Sequence, residues 1–327
     1  MGHPLISVGV PAWRGAAFVA ETLESILRQR EVRLRLFISV DGADAATERV
    51  CRSFVADPRV RLQVQPERIG WVRNTAAVLA EAMEARADYA CIQPHDDLLA
   101  EDYLAALMEM AERSPAAAVV FSDIEAFGTE SMVICQSSVT GSPLGRQIAL
   151  LLDHYNAVAF RGLTRVSALG CVPPMSGNSH DDFAADTLWM SRLAVAGELI
   201  RVPRVLYRKR YHPDNTHGSW CAWPIERKIA AWTQHCLDML AEALKVGHDP
   251  TCRRLIWEAA RARLLHLATP AGPYQADFAA ITSDQRRRML SAFETAAARR
   301  PDIGVPGPTP NDFMGRLAAA VLRKLKH

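Results

Sequence analysis

Short apolar runs of β-forming residues alternate with helical stretches through the first 125 residues, and no other feature constrains the fold as tightly. "LISVGV" (5–10) is followed by a stretch at 16–29 in which Phe18, Val19, Leu23, Ile26 and Leu27 recur at helical spacing. "RLFISV" (35–40) precedes a helix near 45–55, "VRLQV" (60–64) one near 71–86, and "YACIQ" (89–93) one near 100–113. "AAVVFS" (117–122) reads as a further strand. Strands that are apolar on both faces belong in a mostly parallel sheet covered by helices on both sides. Such sheets bind ligands beyond the carboxyl ends of their strands. Pro11-Ala12-Trp13, Asp41-Gly42 and His95-Asp96-Asp97 each follow a predicted strand end, so one rim is expected to collect them.

The pattern then changes. Residues 126–218 are irregular, with a helix near 185–197 and a strand near 199–206. From about 222 the segments "PIERKIAAWTQHCLDMLAEAL" and "TCRRLIWEAARARLLHLA" read as helices with no strand between them. Trp220, Trp223 and Trp232 fit the packing of this helical tail better than a sugar platform. The spacing predicts three segments, 1–125, 126–218 and 219–327. "TPAGPYQ" and "RRPDIGVPGPTPND" are linkers. A last helix is predicted over 313–326, where Phe313, Met314, Leu317, Val321, Leu322 and Leu325 share a face beside Arg316, Arg323, Lys324 and Lys326. Such a helix either packs on its neighbours or lies in an anionic membrane surface.

Bulk properties exclude several classes. A net charge of +2 gives no electrostatic footprint for nucleic acid, so no nucleic-acid partner is expected. The seven cysteines are scattered without a Cys-x-x-Cys, which argues against a disulfide framework or a zinc knuckle and suits a reducing cytosol. No signal peptide and no membrane span are expected, which points to a cytoplasmic chain, with peripheral contact at the inner membrane surface if the last helix provides it.

Two carboxylates side by side repel each other unless a cation, a proton or water shares the site. "CIQPHDDLLAEDYL" (91–104) places such a pair, Asp96 and Asp97, at a strand end. With "ISVGVPAWRGAAFVAETLESILRQ", "ISVDGADAATERV" and "ERIGWVRNTA" before it, this block resembles the nucleotide-binding half of the family-2 glycosyltransferases with the GT-A fold. The likeness covers about 1–125 and continues more loosely to 218. It implies a Rossmann-like α/β domain with a C-terminal helical extension. It also implies an inverting transfer from a nucleotide-diphosphate sugar to an acceptor hydroxyl, with Mn²⁺ or Mg²⁺ on the diphosphate. The acceptor class stays open among a glycan, a lipid-linked sugar and a small molecule.

The same resemblance assigns roles. Asp96 takes the place of the metal-facing acid and Asp97 that of its neighbour, although Pro94 stands where the family's first acid stands. Oxygen ligands suit both ions. Asp96, Pro11, Trp13, Asp41, Arg73, Asn74 and Arg210 would surround the nucleotide sugar, and His212 would complete the metal shell. Asp186, in "AADTLWMSRL", takes the position of the catalytic base, with Asp182 as the second candidate. Simpler alternatives stand beside these. Asp96 and Asp97 could start the helix near 100, and Asp181 or Asp182 could cap the helix near 183. Asp41-Gly42 could be a plain turn. A scaffold that kept the fold without catalysis is the alternative function. A nucleotidyltransferase is less compatible, because "VPAWRGAAF" lacks a glycine-rich cradle for a triphosphate.

Overall fold

The computed structural model describes residues 4–152, 157–213, 215, 220, 222–265 and 281–303. These fall into two compact units, Met1–Arg146 with Tyr155–Ala222, and Gln147–His154 with Trp223–His327.

The first unit opens with β1 (Leu5–Ala12), α1 (Val19–Leu27), β2 (Arg33–Val40), α2 (Ala45–Arg52), β3 (Val60–Val64), α3 (Trp71–Glu84) and β4 (Tyr89–Ile92). β1 pairs in parallel with both β2 and β4, and β2 with β3, as the uninterrupted apolar runs require. Ile6, Val8, Val10, Leu36, Ile38 and Val40 are fully buried, each such side chain contributing about 1.5–3 kcal/mol of transfer free energy. α3 lies close on β1 because position 9 is glycine. A Cβ there would stand 2.6 Å from Val78 Cβ.

The next elements depart from the simple alternation. A two-residue strand, β5 (Leu98–Leu99), follows the acid pair, and α4 begins only at Tyr103 (Tyr103–Arg113). Asp96 and Asp97 therefore do not start that helix. β6 (Ala117–Gly128) is twice as long as expected and does not neighbour β4. β7 (Met132–Ile134) pairs back on β6. After α5 (Pro143–Leu152) and a 3₁₀ turn (Val158–Arg161), the three-residue β8 (Leu163–Arg165) inserts antiparallel between β4 and β6. The short helix α6 (Val166–Leu169) leads to α7 (Ala185–Ala196) and β9 (Glu198–Tyr211). β9 runs parallel to β6 and antiparallel to β5. The sheet order is β3-β2-β1-β4-β8-β6-β9-β5. It is parallel from β3 to β4 and mixed beyond, so the parallel expectation holds for the first four strands.

The second unit contains α8 (Ile225–Leu244), α9 (Pro250–Leu265) and α10 (Ser283–Ala298). α10 is a helix that the sequence reading did not assign. Its start carries a capping box in which Thr282 and Gln285 satisfy each other's main-chain N–H. Trp257 packs on Phe293 with ring centres 5.6 Å apart, and the Trp232 indole N–H donates to the Leu264 carbonyl at 3.2 Å. These two tryptophans serve packing or local bonding. Trp220 belongs to the first unit, with its ring 5.3 Å from Phe183. Among the described residues no helix is long and apolar enough to cross a membrane. The predicted helix over 313–326 lies outside the described residues.

Candidate active site

β1, β2 and β4 end on one rim, and the candidate residues of the first 125 positions gather along it. Their side chains divide into those turned inward and those turned to the open edge. Asp41 turns inward. Its two carboxylate oxygens accept the main-chain N–H of Ile69 at 2.6 Å and of Gly70 at 3.0 Å, which ties the end of β2 to the start of α3. Asn74 is likewise internal. It accepts from the Ser39 hydroxyl at 2.6 Å and donates to the Ser39 carbonyl at 2.9 Å. Arg73, one residue earlier in the helix, is exposed. Pro11 is the penultimate residue of β1, paired with Ser39 of β2.

Trp13 is half-buried on the rim between two cations. The Arg68 guanidinium carbon lies 4.5 Å from its ring centre and that of Arg14 5.4 Å. The main chain of this first loop is fixed from α2. Asp44 accepts the Arg14 N–H at 2.6 Å while also accepting the Thr47 N–H at the helix start. Burial raises the Asp44 carboxyl, but these hydrogen bonds outweigh it and leave the group below the usual carboxylate range.

The acid pair splits. Asp96 Oδ2 lies 3.0 Å from His212 Nε2 and accepts the Asn215 side-chain N–H at 3.1 Å. Side-chain exposures of 16% for His212 and 12% for Asp96 keep this pair in reach of a ligand. Asp97, in contrast, is 2% exposed and accepts from Tyr207, Arg161 and the Arg210 main chain. Burial and the Asp96 charge raise the Asp97 carboxyl, while Arg161, Tyr207 and the Arg210 N–H act in the opposite direction. Arg210, expected on the diphosphate, instead braces the acid segment. Its Nε–H donates to the Asp96 carbonyl at 3.0 Å, its outer nitrogen meets Glu21, and its guanidinium carbon lies 4.8 Å from the Phe18 ring centre.

A carboxylate oxygen beside an imidazole nitrogen is a donor set that suits Mn²⁺ better than Mg²⁺. Among the described residues no group of three or more His, Cys, Asp or Glu side chains could hold a metal. Asp96 and His212 are the two side chains that would hold an ion here.

Asp186 stands in the first turn of α7, immediately after Ala184 and Ala185. It is half-buried, and its Oδ1 accepts the Thr187 N–H at 2.8 Å. Burial raises its carboxyl above the usual range, against the pull of Arg161, the Thr187 N–H and Lys209. Asp182 has another task. The helix starts at Ala185, as the 185–197 expectation has it, with Ala184 at its N-cap position, so neither Asp181 nor Asp182 caps it; these two take left-handed φ values of 48° and 58°. The Asp182 Oδ1 accepts the Asn178 N–H at 3.0 Å and so closes the loop on itself.

Arg161, Tyr207 and Asn215 are the site residues that sequence reasoning missed. Arg161 alone carried a signal, as a charged residue inside the apolar run "VAFRGL". Its guanidinium interacts with both Asp97 and Asp186.

The sequence profile of glycosyl transferase family 2 matches residues 7–153. The uncharacterized protein y4gI of Sinorhizobium fredii is 33% identical over 123 residues, which are 37% of this chain and 13% of that protein. The chain therefore spans only a small part of that relative. Among solved structures, residues 1–349 of S. aureus TarS in complex with UDP-GlcNAc superpose with a TM-score of 0.63 at 12% identity, over 89% of this chain and 81% of the other. The mannosyltransferase PcManGT from Pyrobaculum calidifontis, in complex with GDP-Man and Mn²⁺, superposes with a TM-score of 0.54 at 19% identity, over 98% and 81%.

Proposed function

We propose that this chain, whose residues 7–153 match glycosyl transferase family 2 and whose fold is of the GT-A type, is an inverting glycosyltransferase that uses a nucleotide-diphosphate sugar. The observation that carries this reading is the Asp96–His212 pair, 3.0 Å apart at the carboxyl rim of the parallel strands. That is where such a sheet receives a nucleotide. A divalent ion held there by Asp96 and His212 supplies charge neutralisation for the departing diphosphate. Trp13 and the exposed Arg73 border the nucleotide side, where arginine's forked donors suit phosphate oxygens. The structural neighbours in complex with UDP-GlcNAc and with GDP-Man and Mn²⁺ support a sugar nucleotide as donor.

Asp186 is the base in this reading. As the acceptor hydroxyl oxygen bonds to the anomeric carbon, the bond from that carbon to the diphosphate breaks. The hydroxyl proton passes to the Asp186 carboxylate, and attack opposite the leaving group inverts the anomeric centre. A carboxyl raised by burial is the stronger base, and the Arg161 charge offsets part of that rise. The acceptor is a hydroxyl of a glycan, a lipid-linked sugar or a small molecule.

The test is hydrolysis of UDP- and GDP-sugars, with and without Mn²⁺, by the chain and by Asp96→Asn. Turnover is expected only with the ion and only with Asp96 intact. Full activity in EDTA overturns the metal assignment. A chain that binds the donor with Mn²⁺ but never turns it over is a scaffold. That reading draws on Pro94 in the place of an acid and on the internal bonding of Asp41.

A further inference from the structure

We propose that Asp97 is a positioning residue, a buried clamp that seats His212 against Asp96, and not a ligand of the ion. The inference rests on the metal reading above and assigns the second acid of the pair a different task. Both Asp97 oxygens are occupied from inside the protein. Oδ1 accepts the Arg210 main-chain N–H at 2.8 Å. Oδ2 accepts the Tyr207 hydroxyl at 2.7 Å and the Arg161 Nε–H at 3.3 Å. Turning the carboxylate toward the Asp96 side would leave the buried Tyr207 hydroxyl without this acceptor and would take the Arg161 Nε–H from its carboxylate partner.

The clamp acts where the strand pairing stops. β5 pairs with β9 through Leu98 with Arg208 and Leu99 with Tyr207. Beyond Leu98 the Asp97 carboxylate takes the next β9 N–H in place of a main-chain carbonyl. Arg210 then returns the contact, its Nε–H donating to the Asp96 carbonyl at 3.0 Å. The Asp96-Asp97 dipeptide and residues 210–212 are thus joined at two points. His212, two residues past the Arg210 N–H, arrives 3.0 Å from Asp96 Oδ2. Tyr207 is 1% exposed and its hydroxyl is directed to Asp97, so its loss reads the clamp without touching any ligand of the ion.

Mn²⁺ affinity is measured by the electron paramagnetic resonance of the free ion, in titrations with GDP and separately with UDP. Amide hydrogen exchange is followed over 205–212 in the same proteins. Tyr207→Phe and Asp97→Asn are each expected to weaken Mn²⁺ binding roughly tenfold or more, the usual scale for a group that orients a metal ligand. Both should speed exchange at Arg210–His212, whereas Asp96→Asn loses Mn²⁺ binding with exchange unchanged. Loss of Mn²⁺ binding in Asp97→Asn with a wild-type affinity in Tyr207→Phe makes Asp97 a ligand and overturns the inference. Faster exchange with unchanged affinity in both variants overturns it as well. If the wild-type chain binds no Mn²⁺ with either nucleotide, the metal reading has failed, and the exchange rates alone decide whether the clamp exists.

Discussion

Asp186 and Asp182 lie four positions apart, and their surroundings call for different chemistry. Asp186 is half-buried, raised by burial and within the field of Arg161 and Lys209. Asp182 spends an oxygen on the Asn178 N–H in a loop that carries left-handed residues at 181, 182 and 184. Asp186→Asn is therefore expected to lower kcat by about two orders of magnitude or more, with the donor KM nearly constant. Asp182→Asn keeps an oxygen that can accept the Asn178 N–H, so its kcat should stay within a few-fold of wild type. Asp182→Ala loses that bond and should cost about 1 kcal/mol of stability. Steady-state kinetics on the three variants decides. A full loss of turnover in Asp182→Asn with normal Asp186→Asn kinetics moves the base to Asp182.

At the level of elements, the close fit of α3 on β1 depends on Gly9. A methyl group at position 9 would meet Val78 Cβ at 2.6 Å, inside any real carbon–carbon contact. Gly9→Ala is expected to destabilise the chain by about 1–3 kcal/mol through overpacking. Adding Val78→Ala should recover part of that loss, because the two side chains compete for one space. Urea midpoints of the single and double variants measure it, and additive losses would show that the helix moves independently of residue 9. The same packing explains what was legible in advance. β1 to β4 and their helices were readable because burial on both faces writes long apolar runs and helical periodicity into the sequence. β8 was not readable. Three residues, Leu163–Arg165, are too few to show a period, and their antiparallel insertion is set by partners far away at Ala90 and Val120. The rim residues show the same limit. The sequence places Asp41, Asn74, Asp96, Asp97 and Arg210 near the strand ends, yet whether each turns inward depends on partners distant in the chain. Asp97 meets Tyr207 across 110 residues, and that pairing leaves no local pattern.

For the molecule as a whole, the division into two units means that different perturbations should register in different parts. The Asp96–His212 pair lies in the unit of Met1–Arg146 with Tyr155–Ala222. A nucleoside diphosphate with Mn²⁺ at about 100 times its dissociation constant should stabilise that unit by ~2.7 kcal/mol. His235, in α8, reports on the other unit. The Arg263 guanidinium can only donate, so the His235 Nε2 that it faces at 3.3 Å is the acceptor of a neutral imidazole. Burial and the Arg263 charge hold its pKa well below the ordinary histidine value. The unfolded chain takes up a proton there as pH falls through about 6.5, and the folded unit does not. The unfolded state therefore binds more protons, and the contribution to stability is complete above that pH and lost as pH drops below it. His235→Gln removes the titrating group. Unfolding followed by intrinsic fluorescence and by hydrogen exchange across pH 5–8 should show a steep loss in the helical unit of the wild type and a flatter profile in the variant. The nucleotide with Mn²⁺ should protect the sheet unit at every pH and leave the helical unit's pH profile unchanged. Equal slopes for wild type and His235→Gln would mean that His235 takes up its proton in the folded chain as it does in the unfolded one, in conflict with the Arg263 contact.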